Sequence, residues 1–331
     1  MSGRHPATAA RCHVGRRQTH DLDLVVVSND QLALTFAPSV GGRLISCRFR
    51  GVEVLWHDPG LLDEDLRLSA PRSGWAVPDG TMASWTNLGG SKTWPAPQGW
   101  DHAEQWHGPP DPVLDAGSYA LVVEVDDAGT AVVDLTSGVD PVTGVQITRT
   151  FRLPGVGAGF EQVSTFHNRT DRPITWSVWD VTQVDADPAH GADGVVVVQG
   201  RDAGPVEHLF AVEGDLAYTR EAGAWTVPSQ DAVGKLGFPT ASGTLEWYRR
   251  DGLVLTLSTE RRPGTYPDGG CPVELWLQHP LPGPVPALGG LEVTAHLVEL
   301  ELLSPLTTLR PGEAVDLATS WRFSGAVATP G

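Results

Sequence analysis

A chain of 331 residues can bury a sizeable core, and an all-β sandwich of that length folds as one unit as readily as two. Its net charge of −17, from 23 Lys and Arg against 40 Asp and Glu, repels phosphate backbones and anionic membranes at long range. That argues against nucleic acid as a partner and makes strongly anionic polysaccharides poor ligands.

Residues 1–22 carry several Arg but no apolar stretch of secretory-signal length, and no later segment approaches a membrane-spanning run. The expectation is a disordered N-terminal tail on a cytoplasmic protein, monomer or homodimer, that does not engage a membrane. Cys12, Cys47 and Cys271 are too widely spaced for a disulfide framework or a CxxC metal site, so three free thiols are expected.

From Asp23 the chain settles into short runs that read as strands: LDLVVVSN, QLALTFAPS, GRLISCRF and GVEVLWH, parted by Asn29-Asp30, Gly41-Gly42 and Gly51. Residues 58–118 differ, being dense in Pro, Gly, Asp and Trp (Trp75, Trp85, Trp94, Trp100 and Trp106) with little periodicity. A stretch of that length inside a domain is usually functional, and its aromatic content argues against disorder. Alternation returns in SYALVVEVDD, GTAVVDLTSG, VQITRTFRL, GFEQVSTFHN and PITWSVWDVTQV, loosens over GVVVVQG and AWTVP, and resumes in GTLEWYRR, GLVLTLSTE, CPVELWLQH, EVTAHLVELELLSPL and AVDLATSWRF. No linker, composition shift or fixed-period repeat interrupts the series. It predicts an all-β fold, one large antiparallel β-sandwich over residues 23–322, with a flexible tail at 323–331.

The motifs then carry a resemblance. LTFAPSVGGRLISCRFRGVEVLW resembles the opening of aldose 1-epimerases and other galactose mutarotase-like proteins, and VELELLSPLTTLRPGEAVDLATSW resembles their closing strands. LGGSKTWPAPQGW looks like the signature of a poorly characterised branch of that superfamily, and the likeness spans residues 23–322.

The resemblance implies acid–base chemistry on a sugar. In that family a carboxylate takes the proton of the anomeric hydroxyl and an acid protonates the ring oxygen, so the ring opens and recloses as the other anomer. The carboxylate is a Glu on a late strand in a Glu-x-Gln-like context, which Glu274 matches best. Strand periodicity puts Glu274, Trp276 and Gln278 on one face, with Leu275 and Leu277 on the other. An exposed strand residue is the plain alternative.

The family's acid is a His on a central strand, whereas ITWSVWDVTQV has none; Trp179 and Asp180 stand in that neighbourhood. Asp180 is either a proton donor with a raised pKa or a buried Asp capping a bulge. His102 and His107, in WDHAEQWHG, fall near a second mutarotase-like His position and are candidates for the missing acid. Lys92 stands where mutarotases place a substrate-binding Arg. It follows a Gly pair that would let backbone approach a ligand and precedes Trp94 and two prolines that stiffen the loop. A surface lysine is its alternative.

His279, just after the Glu274 strand, is either a site residue or a loop imidazole. His102, Glu104 and His107 fit no standard zinc spacing, so neither metal nor other cofactor is expected. Trp94, Trp100 and Trp106 are either core or a stacking platform for the apolar face of a sugar, while Trp56, Trp247 and Trp321 read as core.

These readings predict a carbohydrate-active protein with aldose 1-epimerase-like chemistry on a small saccharide in a Trp-lined cleft. The alternatives are a carbohydrate-binding protein without catalysis, a sugar hydrolase or lyase reusing the cleft, and an accessory sandwich with no open cleft.

Overall fold

Short runs of Val, Leu, Thr and aromatic residues closed by Gly, Asp and Pro form strands throughout the computed structural model, which describes residues 11–19, 22–75, 81–99, 102, 105–202, 204–221 and 223–325. The strands assemble into a 12-stranded and a 10-stranded sheet, both antiparallel between neighbours. Among the described residues the only helical elements are four short 3₁₀ turns, and no helix is long and apolar enough to cross a membrane.

The 10-stranded sheet shows the alternation expected of a sheet with one wet face. Val145–Leu153 and Ala241–Arg249 each alternate buried with part-exposed positions, and Trp225, Trp247, Phe160 and Trp321 point inward. These meet Phe36, Phe49, Trp176 and Leu275 of the 12-stranded sheet in one continuous core. In the middle of the 12-stranded sheet the alternation disappears. Ile174–Asp185 and Leu297–Leu303 are buried at nearly every position, on both faces. Their second face must therefore be covered by other chain, and it is: Met82, Trp85, Gln98 and Pro109 from one stretch and Asp268, Leu288 and Leu291 from another lie around it.

Strand structure is already present before the expected boundary at residue 23. His13–Thr19 is an edge strand paired with Leu22–Ser28, and only its Thr19 is buried. Exposed on both faces, HVGRRQT has no apolar alternation to announce it as a strand. At the other end Ala314–Ser324 runs two residues past the expected limit at 322. Cys12, Cys47 and Cys271 are buried free thiols.

Candidate functional site

Register across five strands brings the site together. Trp94 on Ser91–Ala96 pairs with Trp179 on Ile174–Asp185, while Lys92 pairs with Val181. Val181 pairs with Glu301 on Leu297–Leu303, and Glu301 with Glu274 on Val273–Gln278. One step along, Gln183 pairs with Glu299, Glu299 with Trp276, and Trp276 with Lys235 on Val233–Gly237. Period-two alternation turns all of these side chains to the face away from the second sheet.

A cavity of about 220 Å³ opens over them. That lies at the small end for a ligand pocket, the size of a compact metabolite rather than a polymer. Trp85, Trp94, Trp179, Trp276 and Phe210 give it aromatic walls, and Gln183, Gln278, Glu299, Glu301, Lys235 and Asp268 give it polar groups. Trp94 packs edge-on against Trp179 at 5.5 Å and against Trp85 at 5.9 Å, which fixes the wall.

Lys235 organises the floor. Its Nζ lies 2.5 Å from Glu274 Oε2, 2.9 Å from Glu301 Oε2 and 4.3 Å from the centre of the Trp179 ring. The Trp179 Nε1–H donates to Glu301 Oε2 at 2.6 Å. Both glutamates are fully buried, so one ammonium must offset two carboxylates in a region of low dielectric. Burial therefore pushes the Glu274 and Glu301 carboxyls upward, against the pull of Lys235; the charge of Glu301 raises Glu274 further, and that of Glu299 raises Glu301, which reaches about 7.

Burial also raises Asp268, against the pull of the Lys235 charge. Asp268 is held at φ 51, followed by Gly269 and Gly270 at φ 77 and 91, a left-handed run that only Gly and short polar residues adopt readily. For Lys235 burial acts downward, but the charges of Glu274, Glu301 and Asp268 outweigh it and keep the ammonium protonated.

The residues singled out in the sequence separate into three groups. Trp94, Trp179, Trp276 and Gln278 line the cavity. Glu274 lies beneath it, fully buried behind Lys235 rather than facing the opening. Lys92 lies behind the aromatic wall, its Nζ 4.9 Å from the Trp85 ring and 4.6 Å from the Trp94 ring, with Asn87 Oδ1 at 3.4 Å and Glu299 Oε1 at 3.8 Å. Burial lowers its pKa to about 7 despite Glu299. The glycines before it do not admit a ligand: a Cβ on Gly89 would lie 2.2 Å from the Trp56 carbonyl oxygen, and one on Gly90 2.5 Å from that of Leu44. They are there so that strands can approach.

Asp180 points the other way, into the layer between the sheets. It accepts from Thr93 Oγ1 at 2.6 Å, Ser164 Oγ at 2.7 Å and Thr319 Oγ1 at 3.3 Å. This is the buried structural acid, not a pocket acid. His102 and His107 are exposed and outside the cavity lining, and His279 stacks near His296 at 6.4 Å, also outside it. Trp100 and Glu104 lie outside the described residues. Trp106 is core: it packs on Trp94 and donates to Asp111 Oδ2 at 2.9 Å.

Lys235, Glu299, Glu301, Gln183, Asp268 and Trp85 escaped sequence reasoning. A signal existed for two of them, since VELELL sets Glu299 and Glu301 alternately with Val298, Leu300 and Leu302 in a strand otherwise apolar. Lys235, alone between glycines and valine or leucine in VGKLG, carries a weaker version of it.

No curated protein matches this chain in sequence. Among solved structures, a galactose mutarotase-like protein from Clostridium acetobutylicum superposes with a TM-score of 0.58 at 10% identity, over 96% of this chain and 99% of that one. A galactose 1-epimerase from Lactobacillus acidophilus NCFM gives 0.56 at 14% identity, over 96% and 99%. The chain also spans 47% of a TPR-domain containing protein from Parabacteroides distasonis, with 92% of its own length, a TM-score of 0.57 and 11% identity. At such identities the likeness shows the fold, a galactose mutarotase-like β-sandwich. A family model described as "Domain of unknown function (DUF4380)" matches residues 22–324, so the chain belongs to that family.

Proposed function

We propose that the cavity binds a small saccharide and that its carboxyl groups exchange protons with the sugar, interconverting anomers. The observation that carries this reading is the buried Glu274 and Glu301 pair, which reaches an aromatic-walled cavity through Glu301. Trp faces stack on the apolar C–H side of a pyranose, and the amides and carboxyls around them bond its hydroxyls. A carboxyl pushed up to about 7 is divided between its two protonation states at neutral pH, as a group that both takes and gives protons must be.

In this reading Glu301 takes the proton of the anomeric hydroxyl. Glu274 stands behind it on the same ammonium, and Lys235 steadies the negative charge that results. The role that the resemblance gives to Glu274 thus passes to Glu301 on the next strand. The chemistry of anomer exchange also needs an acid at the ring oxygen, and Asp268, whose carboxyl burial raises and which lines the cavity, suits that role.

A binding-only protein is the second reading. It is favoured by two observations: no His lines the cavity among the described residues, and Lys235 already engages both glutamates.

Polarimetry on freshly dissolved aldoses, with calorimetry on the same sugars, separates the two. The catalytic reading expects faster mutarotation than buffer, and a loss of about 10²- to 10⁴-fold in Glu301→Gln with binding retained. Binding without acceleration leaves the second reading. Neither binding nor acceleration across the aldoses removes the saccharide reading.

A further inference from the structure

The cavity offers a ligand acceptors and negative charge rather than donors. Glu301 Oε1 and Gln183 Oε1 are buried with no hydrogen-bond partner among the described residues, and both side chains line the cavity. Most of the lining donors are already engaged. Lys235 Nζ is held by the two glutamates, Gln183 Nε2 donates to Glu299 Oε1 at 2.6 Å, and Gln278 Nε2 donates to the Ala295 carbonyl at 3.2 Å. Of the lining indoles, Trp179, Trp276 and Trp85 donate to Glu301, Gln278 and Asp115, and Trp94 Nε1 has no partner among the described residues.

Charge points the same way. Lys235 faces Asp268, Glu299 and Glu301 across the lining, so the lining remains negative even when one of those carboxyls holds a proton. The aromatic walls suit a cation as well. Lys92 and Lys235 already rest over Trp85, Trp94 and Trp179, while Trp276 and Phe210, 6.3 Å apart on the remaining side, carry no cation over their rings among the described residues. Glu299 stands directly opposite Trp276 in the sheet register.

Resting on the saccharide reading above, we infer that the cavity is built for a sugar that carries a protonated amino group. The ammonium sits between Glu299 and the Trp276 ring, the sugar hydroxyls donate to Glu301 and Gln183, and sugar phosphates are turned away by the same carboxylates. A neutral hexose would satisfy the acceptors yet leave Glu299 with no positive charge paired to it on the cavity side, its one cation among the described residues being Lys92 behind the wall at 3.8 Å.

The test is titration calorimetry of the full chain at neutral pH. The panel pairs 2-amino and 6-amino hexoses with their parent hexoses and N-acetyl forms, and adds a hexose 6-phosphate and ethanolamine. The expected result is at least one amino sugar binding about tenfold or more tightly than both its parent and its N-acetyl form, as a charge-assisted hydrogen bond supplies, with no detectable binding of the phosphate. Glu299→Gln, checked for an intact thermal transition, should bring amino sugar and parent close to parity.

Equal affinity for parent and amino sugar overturns the inference while leaving the saccharide reading in place, and so does a preference that survives in folded Glu299→Gln. Ethanolamine binding as tightly as the amino sugars overturns it too, because charge alone would then suffice. If no sugar in the panel binds, the saccharide reading itself fails. The wild-type comparison stands whether or not the variant folds.

Discussion

Two buried acids sit one register step apart on neighbouring strands and live in opposite surroundings. Asp180 pairs with Leu302, and Val181 beside it pairs with Glu301, so alternation sends Asp180 into the layer between the sheets and Glu301 into the cavity. Three hydroxyls donate to Asp180, and the guanidinium of Arg149, itself bonded to Gly42 O, Ser91 O and Ser91 Oγ, supplies positive charge nearby. Glu301 shares its one ammonium with Glu274 and keeps an oxygen without a partner among the described residues. The first acid is satisfied by the protein, whereas the second is left for something else to satisfy. Burial alone does not distinguish a functional carboxyl from a structural one; the inventory of its partners does.

The largest expected effect falls on the satisfied acid. Asp180→Ala strands the hydroxyls of Thr93, Ser164 and Thr319 and leaves Arg149 buried without its nearby anion. It should cost about 3 to 5 kcal/mol of stability, the scale for breaking a buried charge pair. Denaturant unfolding of the variant against wild type measures this. Glu301→Gln should cost much less, because it relieves repulsion with Glu274. If the two substitutions destabilise equally, the distinction between the acids is lost.

The next effect is the pH dependence of stability. Burial raises both Glu274 and Glu301 above their unfolded values. A raised carboxyl holds its proton more firmly in the folded state, so its stabilisation is complete below the unfolded value and is lost as pH rises through the folded one. From the usual carboxylate range to about 7 for Glu301, stability should fall with rising pH, by at most roughly 3 to 4 kcal/mol from this group. Asp180 is raised by burial as well and contributes in the same direction. Glu301→Gln should therefore flatten the profile between pH 5 and 8 only in part. An unchanged slope in that variant would mean that Glu301 titrates in the ordinary range.

The fold was legible because turn residues and alternation are local signals. Trp94, Trp179, Trp276 and Gln278 were legible for the same reason, since each lies within one strand beside a recognisable motif. Asp180 was visible as an acid in an apolar strand, but its face was not, because Ser164 and Thr319 approach it from the other sheet and from 16 and 139 residues away. The Lys235 clamp depends on three strands whose adjacency is set by long-range register, from Val233–Gly237 through Val273–Gln278 to Leu297–Leu303. No local pattern reports that pairing. Asp268 was hidden for another reason: it sits in a turn where Asp and Gly read simply as turn formers.

The smallest expected effect is that of truncating Trp276, measured against a core tryptophan. Trp247 is fully buried in the core of the 10-stranded sheet, whereas Trp276 is half-buried at the cavity rim, touching Phe210 and donating to Gln278 Oε1 at 3.2 Å. Truncating Trp247 to Ala should destabilise by about 3 to 5 kcal/mol through the cavity it leaves. Trp276→Ala removes a ring that already meets solvent, so most of its cost should fall on the ligand instead. A stacked aromatic face is worth about 0.5 to 1.5 kcal/mol beyond the area it buries, which corresponds to a loss of saccharide affinity of up to roughly tenfold. Calorimetry and thermal melting on the same two variants read both quantities. Unchanged affinity in a folded Trp276→Ala would place the sugar against Trp94 and Trp179 alone and move the ammonium seat away from Glu299.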